Sequence, residues 1–349
     1  MEIRTEFSKA HPDIAKLLES EQYAFLNADE HLGNRIILLG LGGSWSYGTN
    51  VDGSDVDIRG VALNSKSDLL GTSHFDTYTD PNTDTTIYGV NKYFDLLVEC
   101  NPNIVEFLGL NDEDYIYIHP LGQMILDHKD YFISQHVYHS FGGYAYAQLK
   151  RLQNATARDS LNDEDREKHI LHSVEKQLEN IRKDFSISGG DLKLYIANAV
   201  TDGHKKEILM DGHFEGFPLR SFNMMYNAMN QVCRDYDHLD HRNRKKDDQH
   251  LNKHAMHLIR LYSMAEEMLL SGEIHTKRMA DHDLLMAIRN GEYMQNSIMT
   301  PEFFALVDEH KEKLEEAMKN TVLPKKPDMN RIEDLLIRIN EESLRIQQD

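Results

Sequence analysis

Near the start of the chain, Ser44, Asp55 and Asp57 have the residue types and spacing needed to hold a phosphate and a metal ion. They belong to the stretch GGSWSYGTNVDGSDVDIRG at 42–60. Glycines let backbone N–H groups approach a triphosphate closely, and the serine adds a hydroxyl donor. Side chains at i and i+2 of a strand point to one side, and two carboxylates placed there repel unless cations lie between them.

Mg²⁺ is the cation that we expect at this carboxylate pair, with Mn²⁺ as a substitute. It is a hard ion that takes one or two carboxylates together with phosphate oxygens. A pair of such ions clamps the attacking and leaving oxygens of an in-line displacement. The expected reaction is attack of a hydroxyl on the α-phosphorus of a nucleoside triphosphate, with release of pyrophosphate.

Two commoner phosphate loops fit the stretch less well. A P-loop needs a lysine where this chain has Thr49, and without it the β- and γ-phosphates lose a point charge. The dinucleotide fingerprint needs a third glycine where Trp45 stands, and an indole obstructs the close packing of helix on strand.

The stretch resembles the signature of the polymerase-β-type nucleotidyltransferase superfamily, and most closely that of predicted nucleotidyltransferases of bacteria and their phages, GGSxxYGT…SDxDxRG. Two further similar stretches follow in order, NPNIVEFL at 101–108 and KHAMHLIRL at 253–261. The resemblance implies a short mixed sheet flanked by helices. It also implies that Ser44 contacts the triphosphate and that Asp55 and Asp57 are metal ligands.

The same superfamily implies a third carboxylate on a neighbouring strand. Asp84 opens the next predicted strand and is the first candidate, which makes it a third expected metal ligand. Glu106 in NPNIVEFL is the second candidate, and Asp76 and Asp80 are more remote ones. Both leading candidates are kept here as catalytic residues.

A second set of polar side chains lies on the helix predicted over 253–270. Lys253, His257 and Arg260 share a face opposite an apolar stripe, at about 100° per residue. A row of such residues without an acid suits a triphosphate or an acceptor phosphate, and a solvated helix face is the alternative. The full set of predicted nucleotide- or phosphate-binding residues is Gly42, Gly43, Ser44, Tyr47, Gly48, Thr49, Arg59, Lys253, His257 and Arg260.

Hydrophobic patterning predicts the elements that position these residues. A continuous apolar run at 35–41 and alternating residues at 54–63 indicate strands, and a third strand is predicted at 85–90. We expect Tyr144 and Tyr146, in GGYAY at 142–146, to pack rather than stack on a base, and the alternative is that the glycines beside them line a groove.

After about residue 120 the pattern changes to long helical segments, including one at 165–185. A last helix is predicted at 330–347, after a Pro/Lys-rich linker, with Asn330 and Glu333 as its capping box. The expected fold is therefore α+β: a polymerase-β-like catalytic core in 1–125, a short mixed sheet with helices, followed by an all-helical domain in 126–349 that binds acceptor or nucleotide.

The formal net charge of −20 argues against a protein that coats nucleic acid over a broad surface, because such binding depends on Lys and Arg. A local basic groove remains compatible with it, and HRNRKK at 241–246 is the densest basic run. Two cysteines without CxxC spacing fit a reducing cytoplasm, and the most apolar run, IILLGLGG, is too short for a membrane span. We expect a cytoplasmic protein without a membrane partner.

The sequence therefore predicts a Mg²⁺-dependent nucleotidyltransferase that moves a nucleoside monophosphate from an NTP, ATP by default, to a hydroxyl acceptor. That acceptor is an RNA end, a protein, a small molecule or a nucleotide. The alternative is a non-catalytic sensor, antitoxin or partner protein that binds a nucleotide on the same fold.

Overall fold

A computed structural model describes residues 2–160, 192–198, 206–227 and 248–346, with isolated positions at 179, 182, 183, 229 and 230. The chain divides into two units. Unit 1 comprises Met1–Arg151, Gln249–Gln295 and Met299–Asp349, and unit 2 comprises Leu152–Asp248 and Asn296–Ile298. The basic run at 241–246 lies outside the described residues. Of the helix predicted at 165–185, only positions 179, 182 and 183 are described. The domain boundary after residue 125 stays a prediction.

Unit 1 contains a five-stranded mixed sheet, which confirms the expected α+β class. The strand order is β3-β4-β2-β1-β5. The β2–β4 pair is parallel, and the other neighbours are antiparallel. The strands are β1 (Ile36–Leu41), β2 (Ile58–Ala62), β3 (Thr77–Asp80), β4 (Thr85–Gly89) and β5 (Tyr115–Ile118).

The second strand begins at Ile58, later than the predicted start at residue 54. Its partner β1 ends at Leu41, which pairs with Ile58, and the chain then turns through the glycines. The segment that contains Asp55 and Asp57 therefore has no strand partner on that side and leads into β2. Short β3 and β5 were not predicted, because four-residue strands give little periodicity.

Most of the other elements of the described chain are helices, with short 3₁₀ turns at 21–23, 33–35, 106–109, 112–114 and 129–132. The helices up to residue 127 are α1 (Thr5–Ala10), α2 (Pro12–Leu18), α3 (Phe25–Ala28), α4 (Gly43–Tyr47), α5 (Lys66–Leu70), α6 (Val90–Val98), α7 (Pro102–Val105) and α8 (Pro120–Asp127). Those that follow are α9 (His136–Ser160), α10 (Asp248–Ser271), α11 (His282–Arg289), α12 (Pro301–Asn320) and α13 (Met329–Ile346).

The C-terminal region is helical, as expected, and also carries two small antiparallel pairs. They are β6 (Leu192–Asn198) with β7 (Lys206–Gly212), and β8 (Met294–Gln295) with β9 (Ile298–Met299). The last helix starts one residue before the predicted Asn330. Asp328 caps it, because the Arg331 N–H donates to Asp328 Oδ1 at 3.3 Å, so the Asn330–Glu333 capping box was wrong.

One face of the sheet packs on an apolar core built with the N-terminal helices. Ile58 and Ile87 are fully buried in this core, and Val56 packs against it. Because side chains alternate along a strand, Asp57 and Arg59 point to the other side. Arg59 pairs in register with Thr86 of β4. None of the described helices has the length and apolar character of a membrane span.

Candidate active site

The glycine turn packs directly against the acidic segment. Gly43 starts α4 with φ 58°, and Gly48 ends it with φ 73°. A Cβ atom at Gly43 would lie 1.7 Å from Asp57 Oδ2, and one at Gly42 would lie 2.8 Å from Arg59 Cγ. The Gly42 N–H donates to the Asp57 carbonyl at 2.9 Å. These glycines are therefore needed for close packing, apart from any contact with phosphate.

Asp57 and Asp84 share a hydrogen bond between their carboxyl groups. Asp84 lies just before β4 with φ 45°, and its carbonyl accepts from the Ile58 N–H at 3.2 Å. Arg59 contacts both acids: Nη2 is 3.3 Å from Asp57 Oδ1, and Nη1 is 3.6 Å from Asp84 Oδ1. The parallel pairing of β2 and β4 thus brings two of the predicted carboxylates together.

Burial is the main reason that the pKa of Asp57 is raised to about 7, and the hydrogen bond to Asp84 adds to the shift. The Arg59 charge opposes it. The hydrogen bond from Asp57 lowers the pKa of Asp84. Asp57 is therefore the acid of the pair that takes up a proton more readily, as expected for carboxyl groups that lie close together without a cation.

The remaining predicted residues of the stretch lie around this pair. Asp55 is exposed, whereas Ser44 is 7% exposed and Thr49 is fully buried. The Ser44 carbonyl accepts from the Thr49 N–H at 2.9 Å, which closes the turn. Asp80, a more remote candidate, accepts from the Thr83 hydroxyl at 2.8 Å. The structure thus joins Asp57 to Asp84 and leaves Asp55 open to solvent.

The acidic pair fits a divalent cation in its donor chemistry. Within the described parts of the chain, no group of His, Cys, Asp and Glu forms a complete metal cage by itself. Mg²⁺ does not need such a cage, because one or two carboxylates suffice when phosphates and water supply the other ligands. Asp57 and Asp84 offer hard oxygen ligands. A cation between them would reduce the repulsion between the two carboxylates.

Glu106 has partners of its own. Its carboxylate binds Arg260 Nη1 at 2.6 Å and accepts from the Tyr47 hydroxyl at 2.8 Å. Glu106 is 4% exposed and Arg260 is fully buried. The buried ion pair thus joins α10 to the segment after α7. Of the two candidates for the third carboxylate, Asp84 rather than Glu106 lies beside Asp57.

The predicted polar face of α10 is divided between two environments. The Arg260 guanidinium stacks on the Tyr47 ring at 3.6 Å and donates to His257 Nδ1 at 2.8 Å. Burial lowers the pKa of His257 well below its usual value, with the Arg260 charge adding, so this imidazole is neutral near pH 7. Lys253 is exposed, and its charge acts on both Asp57 and Asp84. Of the three, Lys253 is therefore the exposed one, and its charge lowers the pKa of both acids.

A pocket opens beside the glycine turn. Its polar wall includes Arg59, Glu106 and Asn103, and Asn103 belongs to the stretch NPNIVEFL without having been predicted as a site residue. Its full lining is Leu41, Gly42, Gly43, Ser46, Tyr47, Arg59, Asn103, Glu106, Phe107, Leu110 and Thr276. Thr276 was missed, because no sequence pattern links it to the glycine turn.

The comparisons with known proteins agree with this geometry. No curated protein matches the chain. A family model described as "RlaP: RNA repair pathway DNA polymerase beta family" matches residues 15–179, a range that includes the five-stranded sheet, the glycine turn and the Asp57–Asp84 pair. This match places residues 15–179 in the polymerase-β-like nucleotidyltransferase superfamily.

Proposed function

We propose that this protein is a Mg²⁺-dependent nucleotidyltransferase that transfers a nucleoside monophosphate from an NTP to a hydroxyl at an RNA end. Superfamily membership supports nucleotidyl transfer in general, for which divalent metals are usual. The description of the matching family, an RNA repair pathway, supports RNA over a protein, a small molecule or a free nucleotide as acceptor. The observation that carries the proposal is the Asp57–Asp84 carboxyl pair beside the glycine turn.

In this proposal, Asp57 and Asp84 hold the cation, with the exposed Asp55 available beside them. A bound Mg²⁺ supplies positive charge to the phosphate oxygens and the attacking hydroxyl. Ser44 and the backbone N–H groups of the glycine turn orient the triphosphate. Arg59, already placed between the acids, adds a cation close to the phosphates.

The carboxyl pair also separates the catalytic proposal from the non-catalytic alternative. A nucleotide sensor has no need for two acids in direct contact, because their repulsion lowers stability and their charge repels a triphosphate. An enzyme that positions a cation needs them both. The contact between Asp57 and Asp84 therefore favours catalysis.

The test is transfer of label from each α-³²P-labelled NTP in the presence of Mg²⁺ or Mn²⁺. Acceptors are an RNA with a free 3′ hydroxyl, the same RNA with a blocked end, and no RNA. We expect label on the free RNA end, and a loss of at least ~100-fold in Asp57→Asn and Asp84→Asn. Asp76→Asn, which alters an exposed acid outside the pair, serves as the matched control and should retain activity.

Equal transfer by the wild type and Asp57→Asn would overturn the assignment of the acidic pair. Label that appears on the protein itself or on a small acceptor, with none on RNA, would contradict the RNA part of the proposal alone. Glu106→Gln distinguishes the two candidates for the third acid. It should affect stability more than the metal dependence of transfer, because Glu106 lies in the ion pair with Arg260.

A further inference from the structure

Three elements, β4, α9 and α10, carry aromatic and basic side chains in unit 1. Tyr88 of β4 lies on the same face of the sheet as Arg59, because Arg59 pairs in register with Thr86, two residues before it. Burial raises the pKa of Tyr88, the Arg59 charge opposes this shift, and Tyr144 adds to it. Tyr144 of α9 is held in place by the Asn101 side chain, whose Nδ2 donates to the tyrosine hydroxyl at 3.2 Å.

Two exposed tyrosines on α9 correct the expectation that they pack. Tyr144 is 40% exposed and Tyr146 is 55% exposed. At about 100° per residue, Tyr144, Gln148 and Arg151 share one face of the helix, while Tyr146 and Lys150 share the opposite one. The Lys150 ammonium lies over the Tyr146 ring, 5.4 Å from its centroid.

The face that carries Tyr144 is the one that turns toward α10. Gln148 Oε1 is 3.0 Å from His254 Nδ1, and Arg151 Nη1 donates to Gln148 at 3.5 Å. The Arg151 and Lys253 charges both act on His257. We name Tyr88, Tyr144, Arg151 and Lys253 the tyrosine–basic surface, all of which lies in unit 1.

We propose that the tyrosine–basic surface binds the single-stranded end of the acceptor RNA, with a base stacked on the Tyr144 ring and the backbone along Arg151 and Lys253. This inference rests on the proposed function. Base–aromatic stacking together with nearby cations is how single strands bind without sequence preference. Arg151 and Lys253 provide local positive charge in a chain whose net charge is −20. The Lys253 charge also lowers the pKa of Asp57 in the acidic pair.

The shape of the surface favours a strand over a single nucleotide. From Tyr144 to Arg151 the helix face extends about 10 Å at ~1.5 Å per residue, and both of these side chains are exposed. A mononucleotide is usually enclosed in a concave site. The pocket beside the glycine turn offers such a site, and it shares Arg59 with the neighbourhood of Tyr88.

The experiment is a fluorescence-anisotropy titration of the full chain with a short 5′-labelled single-stranded RNA, in Mg²⁺ and without NTP. We expect Tyr144→Ala to weaken binding about tenfold through lost stacking, and Tyr144→Phe to bind like the wild type because the ring remains. Tyr146→Ala is the matched control from the opposite face and should bind normally. Arg151→Gln should lower the slope of log K against log salt by about one, and Lys150→Gln should leave it unchanged.

The proposal is overturned if Tyr144→Ala and Tyr146→Ala bind RNA alike, or if the wild type binds no RNA. Failure of the proposed function gives a different result. In that case the wild type transfers no nucleotide to RNA although Tyr144→Ala still weakens RNA binding. Conversely, label transfer to RNA that depends on Asp57, together with RNA binding that does not depend on Tyr144, would support the proposed function and overturn the proposed role of the tyrosine–basic surface.

Discussion

A single hydrogen atom at position 43 decides whether Asp57 can lie against the glycine turn. Replacing it with a methyl group in Gly43→Ala would place the new carbon 1.7 Å from Asp57 Oδ2. We expect this variant to displace Asp57 from Asp84 and to abolish nucleotidyl transfer, at a stability cost of ~1–3 kcal/mol or more. Thermal unfolding and the transfer assay measure the two effects.

Gly53→Ala is the matched control for that change. Gly53 has φ 79°, so alanine suffers a similar backbone strain there, but nothing lies within 4 Å of the added Cβ. We expect a loss of about 1–2 kcal/mol with transfer retained. If both variants lose activity equally, strain in the turn rather than the contact with Asp57 is responsible.

The raised pKa of Asp57 makes the free energy of unfolding fall as the pH rises. The folded-state pKa of Asp57 is raised to about 7, whereas an unfolded aspartate titrates near ~3.9. Between these values the unfolded chain loses its proton and the folded chain keeps it. The contribution of Asp57 to the free energy of unfolding therefore falls as pH rises through this window. The lowered pKa of Asp84 acts below it, in the opposite direction.

In EDTA, we expect Asp57→Asn to become more stable relative to the wild type as pH rises from 5 to 8. Urea unfolding of both proteins at each pH measures the difference, and titrations common to both proteins cancel. Asp55→Asn, at the exposed neighbouring acid, should show no such trend. If the difference in the free energy of unfolding between the wild type and Asp57→Asn stays constant across this range, the pKa of Asp57 is not raised.

At the scale of elements, the buried Glu106–Arg260 pair joins α10 to the segment after α7, and the Tyr47 hydroxyl of α4 donates to the same carboxylate. Arg260→Met leaves the Glu106 carboxylate buried with only the Tyr47 hydroxyl, so we expect a loss of ~3–5 kcal/mol. The double variant Glu106→Gln/Arg260→Met removes both charges and should recover part of that loss. Urea unfolding of the single and double variants gives the coupling energy.

The exposed pair Lys313–Glu309 on α12, at 2.7 Å, is the control for that cycle. Because solvent screens it, we expect only a weak coupling, well below that of the buried pair. A Glu106–Arg260 coupling as small as this would mean that the buried pair does not hold α10 to the segment after α7.

The distance along the chain explains what the sequence could predict at this scale. Asp57 follows the glycine turn within one motif, and Asp84 opens the next predicted strand, so their meeting follows from strand order. Glu106 and Arg260 are 154 residues apart, and nothing local links them. The amphipathic pattern places Arg260 on the polar face of its helix, which is normally exposed to solvent. Arg260 is buried instead, because Glu106 provides a partner of opposite charge.

At the scale of the whole molecule, the chain leaves unit 1 after residue 151 and returns to it at residue 249. α9 and α10 contact each other close to this exit and return, through Gln148 and His254 at 3.0 Å. A segment that departs and returns between neighbouring helices can be replaced at little entropic cost, because loop closure depends only weakly on length. The carboxyl pair and the glycine turn remain in unit 1.

We therefore expect a chain in which a short Gly/Ser linker replaces residues 153–247 to fold cooperatively and to bind an NTP in the presence of Mg²⁺. A fragment ending at residue 125, the predicted domain boundary, lacks Arg260 and leaves Glu106 buried without its cation, so it should unfold at a lower temperature. Circular dichroism melts and titration with a fluorescent NTP compare the two with the full chain. An unfolded linker variant beside a stable 1–125 fragment would support the boundary predicted from the sequence instead of unit 1, because α10 would then be dispensable for the catalytic core.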